Sequence, residues 1–351
     1  MSEEVWTAQD TTPTAIEAAL RELQGRRYQS DRSFVPARVM NLVVIVERDF
    51  RGEVENRLGR VGRYHPSRLV IAAVQDGRTT IDAVATVAAE DAVARPGHIA
   101  VGRERVELEV GPQHLDHLDT IVDPLLVSDL ATMVWAPHGH TAAVDALRRL
   151  ASIVLVDTQD DPEPRVAFAR AADLAGSAYV VDLAWLRSTP WRERVAATFD
   201  PLPVRARLGE IEQVTVRHRD DSTATGLLFC AWLASRLGWR PAAMEEDDGG
   251  LSGRCDTSGG EVGLRLERTE MGSPGLGGVT IELAGGAAMA LNRGPGGLKA
   301  LRRTADGEQQ EWTVMGASRG EAGILGEGVR QALLRDPTYR PALEAGRVLA
   351  G

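Results

Sequence analysis

Short apolar runs alternate with amphipathic segments between residues 38 and 200, and this alternation constrains the fold more than any other feature. The runs VMNLVVIVE, LVIAAV, ATMVWAP and IVLVDT have the length and apolar content of buried strands. Segments such as DFRGEVENRLGRVG and TAAVDALRRLA carry apolar residues at helical spacing. TIDAVATVAAE and ERVELEVG instead alternate apolar and polar residues, as in sheets with one wet face. An N-terminal α/β domain with a mixed sheet is therefore predicted.

The C-terminal part of the chain has a different pattern. Prolines and a glycine in DPLPVRARLGE precede a strand-like EQVTVRHR, the apolar helix TATGLLFCAWLASRLGW and several short strands. MEEDDGGLSGRCDTSGG is predicted to be a polar loop, and GSPGLGGVT to contain a hairpin turn. We therefore predict an N-terminal helix and polar link at 1–35, the α/β domain at 36–205, and a smaller β-rich α+β domain at 210–351.

Composition restricts the location and the partners of the protein. The chain of 351 residues has no apolar segment long enough to cross a bilayer, and its acidic start lacks the features of a secretory signal. Its net charge of −10 argues against a nucleic-acid partner. Two cysteines, Cys230 in an apolar helix and Cys255 in the predicted loop, are too few for a disulfide framework. A cytoplasmic protein that binds neither membrane nor nucleic acid is predicted.

The common catalytic and cofactor motifs are missing from the sequence. Lys299 is the sole lysine and is followed by alanine, so there is no phosphate-binding P-loop. The GxSxG nucleophile elbow is missing as well. Two closely spaced histidine pairs lack the neighbours of a zinc site: His114 with His117, and His138 with His140. We therefore predict no catalytic residue, no metal and no cofactor.

The segment RYHPSR is a candidate binding turn. His65, Ser67 and Arg68 offer hydrogen-bond donors at a helix-to-strand connection that Pro66 makes rigid. An anion or a carboxylate of a partner could bind there. The alternative is that these side chains cap the helix and satisfy carbonyls of the loop.

The segment DLAWLRSTPWRE is a second candidate. Ser188 or Thr189 is predicted as the N-cap of a helix with Pro190 in its first turn. Arg187, Thr189, Trp191 and Arg192 are predicted as partner contacts, because aromatic residues and arginine anchor protein interfaces. Core packing is the alternative, and for Trp185 it is the favoured one.

Several segments, read in order, carry a family resemblance. They are PARVMNLVVIV, YHPSRLVIAAV, IVDPLLVSDLATMVWAP, ASIVLVDT, DLAWLRSTPWRE, FDP and LLFCAWLASRLGW. Together they resemble the OpcA proteins of the actinobacterial type, which are glucose-6-phosphate dehydrogenase assembly proteins. The resemblance covers residues from about 36 to 240. It implies a non-catalytic allosteric activator that binds glucose-6-phosphate dehydrogenase and promotes its assembly in the oxidative pentose phosphate pathway.

Two other functions stay open at this point. One is a sugar-phosphate-acting enzyme that uses His65, Arg68 and the histidines at 114 and 117. The other is a sugar-phosphate sensor with an arginine-lined pocket. Thioredoxin-linked control, associated with cyanobacterial relatives, is not expected, since Cys230 and Cys255 are the only cysteines.

Overall fold

The chain folds into two compact units. The computed structural model describes residues 3–30, 32, 34–36, 38–61, 66–89, 100–315 and 320–351. Unit 1 comprises Met1–Val156 and Ser177–Val181, and unit 2 comprises Asp157–Gly176 and Asp182–Gly351. These units group the chain differently from the predicted domain limits at 205 and 210, which stay a prediction.

Unit 1 is built on one mixed sheet with helices. Its strands are β1 (Glu3–Ala8), β2 (Phe34–Pro36), β3 (Met40–Glu47), β4 (Ser67–Val74), β5 (Asp82–Ala89), β6 (Ala100–Val110), β7 (Thr132–Trp135), β8 (Ile153–Val156) and β9 (Tyr179–Asp182), the last of which ends in unit 2. Its helices are α1 (Pro13–Ser30), α2 (Arg51–Val61), α3 (Leu118–Val122) and α4 (Thr141–Ala146).

The sheet of unit 1 has the order β1-β5-β6-β4-β3-β7-β8-β9, and β2 pairs with β6. Strands β6, β4, β3, β7 and β8 run parallel, whereas β5 and β1 are antiparallel additions at one edge. Strand β3 is buried along all but its last residue, which agrees with its continuous apolar run. The α/β class and the mixed sheet are confirmed.

Strand β1 was not predicted. Its sequence, EEVWTA, is acidic and alternates exposed with half-buried residues. Among the described residues it pairs only with β5, at the edge of the sheet, and only one of its faces is partly buried. The predicted N-terminal region therefore contains a strand in addition to the expected helix.

The described residues of unit 2 form seven α-helices and nine strands. The helices are α5 (Pro164–Leu174), α6 (Leu183–Arg187), α7 (Thr189–Phe199), α8 (Leu202–Arg205), α9 (Thr223–Leu237), α10 (Gly320–Leu334) and α11 (Tyr339–Leu349). The strands are β10 (Ile211–His218), β11 (Arg240–Pro241), β12 (Glu245–Asp247), β13 (Gly250–Thr257), β14 (Gly260–Arg268), β15 (Leu276–Leu283), β16 (Ala287–Gly294), β17 (Gly297–Arg303) and β18 (Gln309–Met315).

Helix α9 is the centre of the core of unit 2. It packs against β10 and β14 on one face of the sheet, and α11 packs against it. Every residue from Ala224 to Ala234 is buried, as expected of a helix that is apolar all round. A Cβ atom placed on Gly226 would lie 2.9 Å from Cδ2 of Leu266. Glycine at this position therefore permits the close approach of helix and sheet.

The topology of this second sheet corrects two predictions. Strand β10 pairs in parallel with β14 and antiparallel with β15, so the segment 269–275 crosses the end of β10 and the predicted hairpin is wrong. The predicted loop contains β12 and β13, and Cys255 lies buried in β13. The glycines and charged residues of this segment made it resemble a loop. Strands can nevertheless contain them, because only alternate residues of a sheet with one buried face need to be apolar.

Candidate functional site

A buried aspartate lies where β9 ends and α6 begins, within unit 2. Asp182 is only 1% exposed and caps α6 by accepting a hydrogen bond from the backbone N–H of Ala184 at 3.0 Å. It also accepts bonds from Thr158, through the backbone N–H at 3.1 Å and the hydroxyl at 2.8 Å. The hydroxyl of Tyr339 donates the fourth bond at 3.0 Å. Asp182 thus joins three separate segments of unit 2.

The charge of Asp182 is strongly disfavoured by its surroundings. Burial and the nearby carboxylate of Asp157 raise the pKa of Asp182 to about 6, although the hydrogen bonds from Thr158 and Tyr339 act in the opposite direction. Asp157 itself is held by Arg187, whose Nη1 and Nη2 atoms lie 2.8 and 2.7 Å from its two carboxylate oxygens. Arg187 therefore compensates a buried charge, as its two-bond geometry suits it to do.

A second polar group joins α6 to α7; we call Trp185, Ser188, Thr189, Arg192 and Asp336 the α6–α7 cluster. The guanidinium of Arg192 lies 3.4 Å from the ring centroid of Trp185 and donates to the hydroxyls of Ser188 at 3.1 Å and Thr189 at 2.9 Å. Asp336 lies 3.8 Å from Arg192 and accepts from Nε1 of Trp185 at 2.9 Å. Burial lowers the pKa of Arg192 to about 10.

Ser188 is the N-cap residue of α7 and Pro190 lies in its first turn, as predicted. Ser188 has helical backbone angles and no capping bond, and its hydroxyl donates to the carbonyl of Trp185. Arg192 is 7% exposed and Trp191 is 2% exposed, so both side chains lie inside unit 2, while Thr189 is half-buried. The structure therefore brings Thr189 and Arg192 together as packed residues. Their role as partner contacts stays a prediction.

The HPSR segment belongs to unit 1, and His65 lies outside the described residues. Ser67 begins β4 and is partly exposed. Arg68 is 8% exposed; its Nε atom donates to Glu104 at 2.9 Å and its Nη1 atom to the carbonyl of Leu125 at 3.0 Å. Glu104 also accepts from Arg38. Arg68 is thus a buried, paired cation, and the structure assigns Ser67 and Arg68 to a different unit from Arg187 and Arg192.

Sequence reasoning missed the acidic partners in these groups. Asp157 and Asp182 do carry a signal, since each comes at the end of a short apolar strand. Tyr339 carries none, because 157 positions separate it from Asp182. The same holds for Asp336, which lies 151 positions from Trp185.

The remaining candidates for chemistry do not converge. Among the described residues, no group of three or more His, Cys, Asp or Glu side chains is arranged to hold a metal ion. In the same part of the chain, no helix has the length and apolar character needed to cross a membrane. Cys230 and Cys255 are both buried, and burial raises the pKa of Cys255 to about 11 and that of Cys230 even further.

Two family models match most of the chain. They describe the two domains of a glucose-6-phosphate dehydrogenase subunit: the model of its N-terminal domain matches residues 59–173, and the model of its C-terminal domain matches residues 178–343. Both models bear the OpcA name. The chain belongs to the OpcA family. The family resemblance noted in the sequence is confirmed, while the actinobacterial type stays a prediction.

Relatives of this OpcA-family chain carry the provisional name OxPP cycle protein OpcA. The protein from Synechococcus elongatus is 27% identical over 305 residues, which are 84% of this chain and 65% of that relative. The protein from Nostoc punctiforme is 30% identical over 139 residues, which are 38% of this chain and 30% of the relative. The chain thus spans less than two thirds of the length of each.

Two solved structures align with the chain at low identity. A super-repressor mutant of Gal80p from Saccharomyces cerevisiae aligns with a TM-score of 0.47 and 8% identity, covering 88% of this chain and 93% of that protein. Scyllo-inositol dehydrogenase from Lactobacillus casei aligns with a TM-score of 0.43 and 11% identity, covering 88% and 94%. At these scores neither alignment carries an argument about function.

Proposed function

We propose that this protein is a non-catalytic subunit that binds glucose-6-phosphate dehydrogenase in the cytoplasm, promotes its assembly and raises its activity. The observation that carries this proposal is the pair of family matches over residues 59–173 and 178–343, since both models are named for a subunit of that enzyme. The names of the relatives, which refer to the OxPP cycle, support a place in the oxidative pentose phosphate pathway.

Such a subunit acts through a difference in affinity. It raises activity only if it binds the assembled, active enzyme more tightly than the inactive form. A tenfold shift of that equilibrium requires about 1.4 kcal/mol of differential binding. By the same linkage, substrate that favours the active enzyme should tighten binding of the subunit.

The candidate residues take two roles in this proposal. Ser67 and Thr189, which are partly exposed, would contact the enzyme or an anion directly, together with His65. The other candidates would act by fixing the segments that carry the contacts. Arg68, Trp191 and Arg192 are buried. The side chain of Arg187 is only 7% exposed and is paired with Asp157.

Initial rates of the dehydrogenase from the same organism test the proposal. Saturating amounts of the chain should raise its maximal rate or lower its KM for glucose 6-phosphate. An unchanged rate at every ratio of the two proteins would contradict the proposal. Turnover of a sugar phosphate by the chain alone, lost in His65→Ala, would instead support the enzyme alternative.

A pair of variants on one helix tests the contact at Thr189. Thr189→Arg places a bulky charge at the start of α7, and Thr198→Arg places the same charge near its end, where the residue is also half-buried. The first should weaken activation and the second should leave it unchanged, provided that both melt like the original protein. Equal activation by the two variants would remove Thr189 from the interface.

A further inference from the structure

Unit 2 has a cavity at the end of its sheet where β10 and β14 finish and β15 begins. Val214, Val216 and His218 of β10 are buried on the α9 side, and Arg217 lies between them in the sequence and faces the other way. The cavity measures about 400 Å³, within the range of about 300–1,000 Å³ that small-molecule sites occupy. Arg217, Gly277, Arg293 and the segment 269–271 line it.

Two arginines in this cavity have neutral partners. Nη2 of Arg217 donates to Oδ1 of Asn292 at 2.8 Å and to the hydroxyl of Thr280 at 3.2 Å. Arg293 donates through Nε and Nη2 to the carbonyl of Leu276 at 3.3 and 3.0 Å. Within the described part of the chain, neither guanidinium forms an ion pair with a carboxylate. The buried arginines described above differ, because each has an acidic partner.

Hydrogen bonds hold both arginines in place and leave some of their N–H donors unused. A guanidinium carries five N–H groups, and these bonds leave several of them uncommitted on each side chain. A Cβ atom placed on Gly278 would lie 2.6 Å from Nε and Nη2 of Arg217, so glycine leaves room for the guanidinium against the sheet. Arg293 is an exposed residue, yet desolvation of its guanidinium by the surrounding protein lowers the pKa of this side chain.

We propose that this cavity binds a small metabolite that carries a phosphate monoester. Two guanidinium groups on one cavity suit a doubly charged group with three terminal oxygens, whereas one arginine already satisfies both oxygens of a carboxylate. Thr269 and Glu270 line the same space, and their hydroxyl and carboxylate are groups that can bond hydroxyl groups on the body of the ligand. Met271 and Gly277 leave the rest of the wall uncharged.

Isothermal titration of the full chain at fixed ionic strength tests this site independently of any effect on the dehydrogenase. The probes are glucose 6-phosphate, glucose, inorganic phosphate and malate. Glucose 6-phosphate should bind saturably, glucose should not, and malate should bind at least about tenfold more weakly than the phosphate ester. The proposal would be overturned if neither glucose 6-phosphate nor inorganic phosphate bound saturably. It would also be overturned if malate bound more strongly than glucose 6-phosphate.

Matched variants locate the site. Arg217→Gln and Arg293→Gln should each weaken binding of glucose 6-phosphate by at least about tenfold. Arg303→Gln is the control, because Arg303 also bonds a backbone carbonyl, that of Gly286, but does not line the cavity. Gly278→Ala keeps both arginines yet displaces Arg217, so it should weaken binding in a protein that melts normally. Equal affinity in all four variants would overturn the assignment.

Discussion

Replacing Asp182 with asparagine should make the unfolding free energy of unit 2 less sensitive to rising pH. The folded protein holds the pKa of this carboxyl at about 6, compared with 3.8 for an unperturbed aspartate. Because the folded value is the higher one, the neutral carboxyl favours folding. Its contribution is complete below about pH 4 and is lost as the pH rises through about 6. Asparagine stays neutral throughout and should not show this loss.

The size of the effect follows from the same values. A rise in pKa from 3.8 to about 6 corresponds to about 3 kcal/mol of unfolding free energy. The amide can still accept the backbone bonds of Thr158 and Ala184 through its oxygen, and its N–H groups face hydroxyls that can accept. Any fixed cost of the substitution is independent of pH, so the difference between two pH values isolates the ionisation.

Urea unfolding from about pH 4 to about pH 8 measures this difference. The unfolding free energy of Asp182→Asn minus that of the original protein should increase by about 2.5 kcal/mol over this range, because a small part of the effect is already lost at pH 4. Asp306→Asn, at an exposed turn in the same unit, serves as the control and should show no comparable change. A difference for Asp182→Asn that stays constant within about 1 kcal/mol would refute the proposed cost of charging this site.

Three other predictions concern buried polar groups. Arg192→Ala should lower the unfolding free energy by about 2–4 kcal/mol, because it removes the stack on Trp185 and several hydrogen bonds. Arg194→Ala, at an exposed position of the same helix, should lower it by less than about 0.5 kcal/mol. Equal urea midpoints for the two variants would contradict this. Glu104→Gln should cost about 3–5 kcal/mol, since it leaves two arginines without their counter-charge, and a loss below about 1 kcal/mol in urea unfolding would argue against that pairing. The two thiols should react with a disulfide reagent at neutral pH only after unfolding, because burial raises both pKa values; rapid reaction of the native protein would contradict this.

The sequence predicts the strands of unit 1 well where both faces are buried. Strands β3 and β4 are continuous apolar runs, and such runs have few alternatives in a chain that also contains amphipathic helices. Edge strand β1 was not predicted, because it is only partly buried and its acidic sequence EEVWTA resembles a polar tail. The pairing of β10 with both β14 and β15 was not predictable, since parallel pairing depends on contacts far apart in the chain.

The candidate residues show a similar division. The types of side chain in DLAWLRSTPWRE suggest an interface. In the structure, however, Asp336 contacts both Arg192 and Trp185, and Tyr339 of α11 packs against Trp185. A buried arginine looks the same in sequence as an exposed one until its carboxylate is known. Arg217 and Arg293 could not be predicted as site residues for the same reason, because their neighbours lie on adjacent strands rather than nearby in the chain.

Sedimentation velocity of a mixture shows directly whether this chain and glucose-6-phosphate dehydrogenase form a complex. With the dehydrogenase from the same organism, we expect a boundary that contains both proteins and sediments faster than either protein alone. Glucose 6-phosphate should increase the fraction of the chain in that boundary if the active enzyme is the form that is bound. Two boundaries that sediment independently at every concentration, with and without substrate, would show that the proposed complex does not form.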